Sequence, residues 1–210
     1  IKYLILLIIY LVCGVNLQAQ NYTFRNVVMS DGLSGLLVNA IYKDSEGFVW
    51  LGTDNCLDRF DGVKVRHYEF RGVDSGRKKR VNCITETADD QLWVGNGIGL
   101  WRLNRANGQL ERIVPEKIDF AVNTLLPDGD ILYIGTEKGL FIQKDGQLLQ
   151  VLTDRNMLAA CNRIMDLCLN EDKSALWLAT VQGLFSYSLK DGKIDSWHFQ
   201  ENVPEADYFR

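Results

Sequence analysis

The sequence is poor in proline, with three in 210 residues, and in histidine, with two. It carries no sustained helical period of apolar residues outside its first twenty positions, which excludes a helical bundle. It has no basic excess. Its 23 Lys and Arg stand against 27 Asp and Glu, a net charge of −4, whereas a nucleic-acid surface needs a basic footprint. No GxSxG, HExxH or P-loop occurs, so nucleophilic, zinc-protease and nucleotide chemistry find no support. The one long apolar run, Tyr3–Val15, falls short of the roughly 20 residues that a membrane span needs.

What is present begins with that run. One Lys, the apolar stretch and a small-residue exit at Ala19 form the layout of a secretory signal peptide over residues 1–20, cleaved near Ala19–Gln20. An uncleaved anchor is the alternative. The mature part is expected outside the cytoplasm. Cleavage removes Cys13 and leaves Cys56, Cys83, Cys161 and Cys168, whose spacings match no zinc template. Export permits disulfides, yet each of the four sits in or beside an apolar run, so buried, inert thiols are expected. The chain begins at Ile1 and stops after ENVPEADYFR, which reads as a piece of a longer protein.

Glycine is plentiful, at 18, and it falls in a pattern. FVWLGT (Phe48–Thr53) recurs as QLWVGN, ILYIGT and ALWLAT. The aromatics Trp50, Trp93, Tyr133 and Trp177 are spaced by 43, 40 and 44 residues, and Gly52, Gly95, Gly135 or Ala179 follows two residues later. An Asn precedes each: Asn39, Asn82, Asn123 and Asn162. A Gly-Leu pair opens the next strand at Gly99, Gly139 and Gly183, with Cys56–Leu57 in the first unit. Asp61–Gly62, Asn107–Gly108, Asp145–Gly146 and Asp191–Gly192 mark hairpins.

Four short strands in each 40–45-residue unit are the signature of a β-propeller blade. The sequence therefore predicts an all-β fold of four-stranded antiparallel blades, about four in number, forming an incomplete, open arc. The blades fall at about 38–70, 81–114, 120–152 and 162–199 within 38–210, after a lead-in at 21–37. A four-stranded sheet cannot cover both its own faces, but one stacked between two neighbours can. That accounts for second strands that are apolar at successive positions. Trp50, Trp93, Tyr133 and Trp177 are expected to fill the space between blades, and Gly52, Gly95 and Gly135 to admit a neighbouring chain. Phe24–Met29 reads as a strand with no partner in its own repeat.

The stretch DGLSGLLVNAIYKDSEGFVWLGTDNCLDRFDGVKV (Asp31–Val65) resembles the two-component regulator propeller repeat, and with it the first blade of the sensor region of hybrid two-component sensors from gut Bacteroidetes. The matching residues are Asp31–Ser34, Asn39, Asp44, Gly47, Trp50–Thr53 and Arg59–Gly62. Cys56, Asn96 and Ala179 depart from the pattern. The resemblance implies a parent with two periplasmic propellers, a β-sandwich module, a membrane span, a histidine kinase, a receiver and a DNA-binding domain. It implies an oligosaccharide ligand, the remaining blades and second propeller of the same chain as partners, and a homodimer anchored in the inner membrane.

Candidate site residues are few. The ladder of Asn39, Asn82, Asn123 and Asn162 could offer amides to sugar hydroxyls, although turn-forming is the simpler role. Arg77, Lys78, Lys79 and Arg80 could grip an anionic glycan, although a run of like charges is normally a solvated loop. Asp44, Asp89 and Asp128 recur as turn residues rather than as one close catalytic pair. His67 and His198 have no accompanying ligand pattern, so neither metal nor cofactor is expected. The leading expectation is a periplasmic, ligand-sensing propeller of a signalling receptor. An exported polysaccharide lyase or glycosidase and a non-catalytic scaffold are the alternatives.

Overall fold

The computed structural model describes residues 26–73, 79–113, 118–152 and 163–197, together with residues 3 and 24. The proposed signal peptide apart from Tyr3, together with Arg77, Lys78, Cys161, Asn162 and His198, lies outside the described residues. Among the described residues sixteen strands form four sheets. The first holds β1 (Val38–Lys43), β2 (Val49–Thr53), β3 (Leu57–Phe60) and β4 (Val65–Tyr68). The second holds β5 (Val81–Glu86), β6 (Leu92–Asn96), β7 (Gly99–Asn104) and β8 (Gln109–Ile113). The third holds β9 (Val122–Asp128), β10 (Ile131–Thr136), β11 (Gly139–Lys144) and β12 (Gln147–Gln150). The fourth holds β13 (Ile164–Leu169), β14 (Ala175–Thr180), β15 (Gly183–Ser188) and β16 (Ile194–Trp197). Each is an antiparallel meander in chain order. β1 packs beside β5, β5 beside β9 and β9 beside β13, so the first strands line a common hub. This is the propeller arrangement the repeat predicts. Among the described residues no helix is long and apolar enough to cross a membrane.

Burial follows the stacking. β6 is buried at every position and β10 at all but its first, because sheets lie on both sides. β14 buries Leu176 and Leu178 but leaves Ala175 and Trp177 half-exposed. In β13, Met165 and Cys168 face solvent, and in β1 Ile41 does. The two flanking sheets thus keep apolar groups on open faces. Cys168 departs from the expectation of a buried thiol for this reason: its side of the last sheet has no neighbour among the described residues. Cys56 is buried and Cys83 half-buried, and all three are free thiols.

The second-strand glycines meet a branched side chain from the next blade. A Cβ on Gly52 would lie 2.5 Å from Val81 Cγ1, one on Gly95 2.6 Å from Val122 Cγ1, and one on Gly135 2.7 Å from Ile164 Cγ2. Real Cβ atoms do not approach so closely, so hydrogen is the only side chain that fits. The Gly-Leu pairs have a different cause. Gly139 has φ +113°, and a Cβ there would collide with the Leu152 carbonyl.

Among the described residues of Phe24–Met29 no strand forms in this chain. Residues 24 and 26–28 are irregular, and Met29–Asp31 is a 3-10 turn in which the Val28 amide donates to the Asp31 carboxylate at 3.0 Å. A lone strand with no sheet edge to pair with leaves its backbone groups unsatisfied. The local turn satisfies some of them instead.

The hairpins split by loop length. Asp145–Gly146 is a two-residue loop with both φ values positive, as a type I′ turn requires. The other three loops are longer and carry one positive-φ glycine at their ends or interiors. Aspartates hold several turns. Asp61 accepts from the amides of Lys64 at 2.7 Å and Val63 at 2.9 Å, and Asp172 from the Ser174 hydroxyl at 2.7 Å. These bonds hold both carboxyls below their ordinary value of 3.8, and the Ser188 hydroxyl does the same for Asp191. A depressed folded pKa adds stability above the unfolded pKa, which is lost as pH falls through the folded one. Melting temperature should therefore drop as pH falls below about 4. Replacing Asp61, Asp172 and Asp191 together by Asn should make that acid decline shallower in thermal scans. An unchanged slope would show that the three carboxylates contribute nothing.

Candidate functional site

The hub carries the Asn ladder on a built-in irregularity. In every sheet the pairing between the first two strands slips at the second residue of the hub segment: at Asn39, Asn82 and Asn123, and at Met165 in the fourth sheet. A bulge of this kind re-aims the side chain it carries. Asn82 Nδ2 donates to the Val122 carbonyl at 2.9 Å and Asn123 Nδ2 to the Ile164 carbonyl at 2.8 Å. Each amide ties one blade's inner strand to the next, a role between blades and not within its own turn. The fourth sheet has Met165 at this place. Asn162, outside the described residues, stands 15 residues before its aromatic, where the other three stand 10 or 11 before theirs.

Asn39 differs. Its Nδ2 donates to Asp54 Oδ1 at 2.9 Å, and Arg80 Nε lies 3.9 Å from the same oxygen. Arg80 is 59% and Asp54 41% exposed, so amide, carboxylate and guanidinium meet at a solvent-facing end of the hub. One ladder residue and one residue of the cationic loop are therefore brought together. Lys79 is half-buried nearby in sequence. Sequence reasoning missed Asp54, because Gly97, Glu137 and Val181 follow the corresponding strands and no repeat marks it. A separate groove of about 410 Å³ opens between the second and third sheets, lined by Asp89, Trp93, Arg102, Asp130 and Gln143.

The recurring aspartates and aromatics have structural partners. Trp50 is fully buried and its indole donates to Asp44 Oδ2 at 2.7 Å, while Asp44 Oδ1 accepts the Phe48 amide at 2.8 Å. Trp93 donates to the Thr87 hydroxyl at 3.1 Å, which in turn donates to Asp89 at 2.5 Å. Asp128 meets Lys173 of the next sheet at 2.5 Å. On the same rim Glu86 receives Arg105 at 2.6 Å and the Ser45 amide at 2.8 Å, joining the first two sheets.

His67 is less isolated than its sequence context indicates. Its Nδ1 lies 2.7 Å from Asp58 Oδ1, and the Cys56 Sγ lies 3.2 Å from that same oxygen. Asp58 has no exposed surface, and its Oδ2 accepts both the amide and the hydroxyl of Ser34 at 2.8 Å. Burial, reinforced by Asp58, pushes the Cys56 thiol up to about 12. No carboxylate-and-histidine pattern is visible in the sequence, because the pairing is made across two strands.

Residues 32–55 match the family model described as two component regulator propeller, so the resemblance read from the sequence holds over that stretch. Among solved structures, the chain is similar to an extracellular domain assigned to a hybrid two-component system of B. thetaiotaomicron, with 21% identity and a TM-score of 0.71 over 85% of this chain and 27% of that one. A second such domain from that organism gives 24% identity and a TM-score of 0.64 over 80% of this chain and 23% of that one. Catalytically inactive virginiamycin B lyase from Staphylococcus aureus, bound to quinupristin, gives 17% identity and a TM-score of 0.60 over 79% of this chain and 56% of that one. These likenesses establish the propeller fold. The chain spans about a quarter of the length of the two extracellular domains it matches. No curated protein matches the chain.

Proposed function

We propose that this chain is a ligand-sensing propeller segment of a two-component signalling receptor, exported to the periplasm, whose ligand is an oligosaccharide released from a larger glycan. The observation that carries the reading is the match of residues 32–55 to the two component regulator propeller, on a fold shared with extracellular domains of hybrid two-component systems. The open apolar faces at Ile41 and Met165 suit further blades of the same receptor chain. Asn39, Asp54 and Arg80 suit a polyhydroxylated ligand, since they combine donors and an acceptor in a fixed group at the hub. Binding there shifts the receptor between states only through a difference in affinity for them.

Calorimetric titration of the complete extracellular region with a panel of glycan fragments tests this. One fragment class should bind, and Arg80→Ala should weaken it by about 10- to 100-fold, the worth of one charge-assisted hydrogen bond. Silence across the whole panel would sink the saccharide reading. Binding lost in Arg102→Ala and kept in Arg80→Ala would move the contact to the groove between the second and third sheets.

A further inference from the structure

The first sheet departs from the other three at one place. Where β7, β11 and β15 begin Gly-Leu-aromatic (Gly99–Trp101, Gly139–Phe141 and Gly183–Phe185), the first sheet has Cys56–Leu57–Asp58. Cys56, just ahead of β3, brings its Sγ to 3.2 Å from Asp58 Oδ1. Asp58 is the register partner of His67 across β3 and β4. At the matching places the other sheets pair Trp101 with Arg112, Phe141 with Gln150 and Phe185 with Ser196, so the first sheet alone sets a thiol in place of the glycine, a carboxylate in place of the aromatic and an imidazole across from it. Their ligand atoms lie within 4.8 Å of one another.

We infer that Cys56, Asp58 and His67 bind a single zinc ion, with a water molecule entering from the exposed side of His67 as fourth ligand. Three observations support this independently of the receptor reading. First, the donor set is sulfur, nitrogen and oxygen. Zinc accepts that mixture in a tetrahedron, whereas calcium and magnesium require all-oxygen shells. Second, the distances are close to those needed. Zinc bonds of about 2.0–2.3 Å place neighbouring donors roughly 3.2–3.8 Å apart. The separations of 2.7 and 3.2 Å are hydrogen-bond lengths that open to this range by small side-chain rotations. Third, the carboxylate is held as a metal-binding one is held. Ser34 fixes Oδ2 with two hydrogen bonds and turns Oδ1 toward the sulfur and the imidazole. Among the described residues the fully buried Asp58 carboxylate is bonded by Ser34, Cys56 and His67 and by neither Lys nor Arg, and burying such a charge is costly without a cation. On binding, the thiol proton is released to solvent and the thiolate sulfur, the neutral Nδ1 and Oδ1 each donate a pair of electrons to the ion. No oxidation state changes.

The purified chain, stripped with a chelator, should be titrated with Zn²⁺ by calorimetry and with Co²⁺ by absorbance. One metal ion should bind. Cobalt should give a near-ultraviolet thiolate band together with visible bands of tetrahedral intensity. Cys56→Ser should abolish the thiolate band. His67→Gln, at a half-exposed position that should leave the fold intact by circular dichroism, should weaken Zn²⁺ binding at least about tenfold. Cys168→Ser, on the far sheet, should change neither. The inference is overturned if no thiolate band develops, if the band survives Cys56→Ser, or if affinity is the same with and without His67.

Discussion

Alanine in place of Trp50 should lower the unfolding free energy by about 3–5 kcal/mol, the range for removing a large buried aromatic. Trp50 has no exposed surface and packs on Tyr68 with ring centroids 5.2 Å apart. Its indole also occupies one oxygen of Asp44, itself 4% exposed. The cost therefore has two parts, and Trp50→Phe separates them. Phenylalanine keeps most of the ring packing but leaves the buried carboxylate short of a donor, for about 1–3 kcal/mol. Trp93→Ala, at a position 5% exposed, should fall in the same range of about 3–5 kcal/mol. Trp177→Ala should cost clearly less, because its ring is half-exposed on the last sheet. Urea unfolding of the three variants measures this order. A Trp50→Ala variant within about 1 kcal/mol of the parent would place that ring outside a packed core.

Adding one methyl group at Gly95 should cost about 1–3 kcal/mol, although no contact is removed. The new carbon would overlap the Cys83 sulfur and lie 2.6 Å from Val122 Cγ1. Valine is β-branched and cannot rotate away freely, and Val122 belongs to the next blade's inner strand. Sheet spacing would have to widen. The last sheet shows the converse, since Ala179 is tolerated at the matching place. Trimming the obstacle should relieve the clash: Gly95→Ala combined with Val122→Ala should destabilise by less than the sum of the two single changes. Strict additivity would mean that the two sheets do not touch there.

The architecture was legible because the physics that builds it is repetitive. The Trp-x-Gly spacing, the turn glycines and the apolar second strands each encode a sheet pressed between sheets. What stayed hidden depends on contacts between segments distant in the chain. Asn82 and Asn123 read more simply as turn residues than as ligand donors, and their role between blades shows only when Val122 and Ile164 are placed beside them. Asp54 gains meaning only from Asn39 and Arg80. Cys56 and His67 are eleven positions apart, and only the β3–β4 register brings them to one carboxylate. The strand expected at Phe24–Met29 has no sheet edge to join among the described residues: a strand is defined by its partner, and local sequence cannot supply one.

The radial stacking of the four sheets is tested most directly by methyl-labelled NMR of the intact chain. Stacked blades should give cross-peaks from the methyl groups of Val81, Val122 and Ile164 to the α-protons of Gly52, Gly95 and Gly135 respectively, each pair joining one sheet to the next. Cross-peaks confined to strands of a single sheet, with these three missing, would contradict the stacking and the hub built upon it.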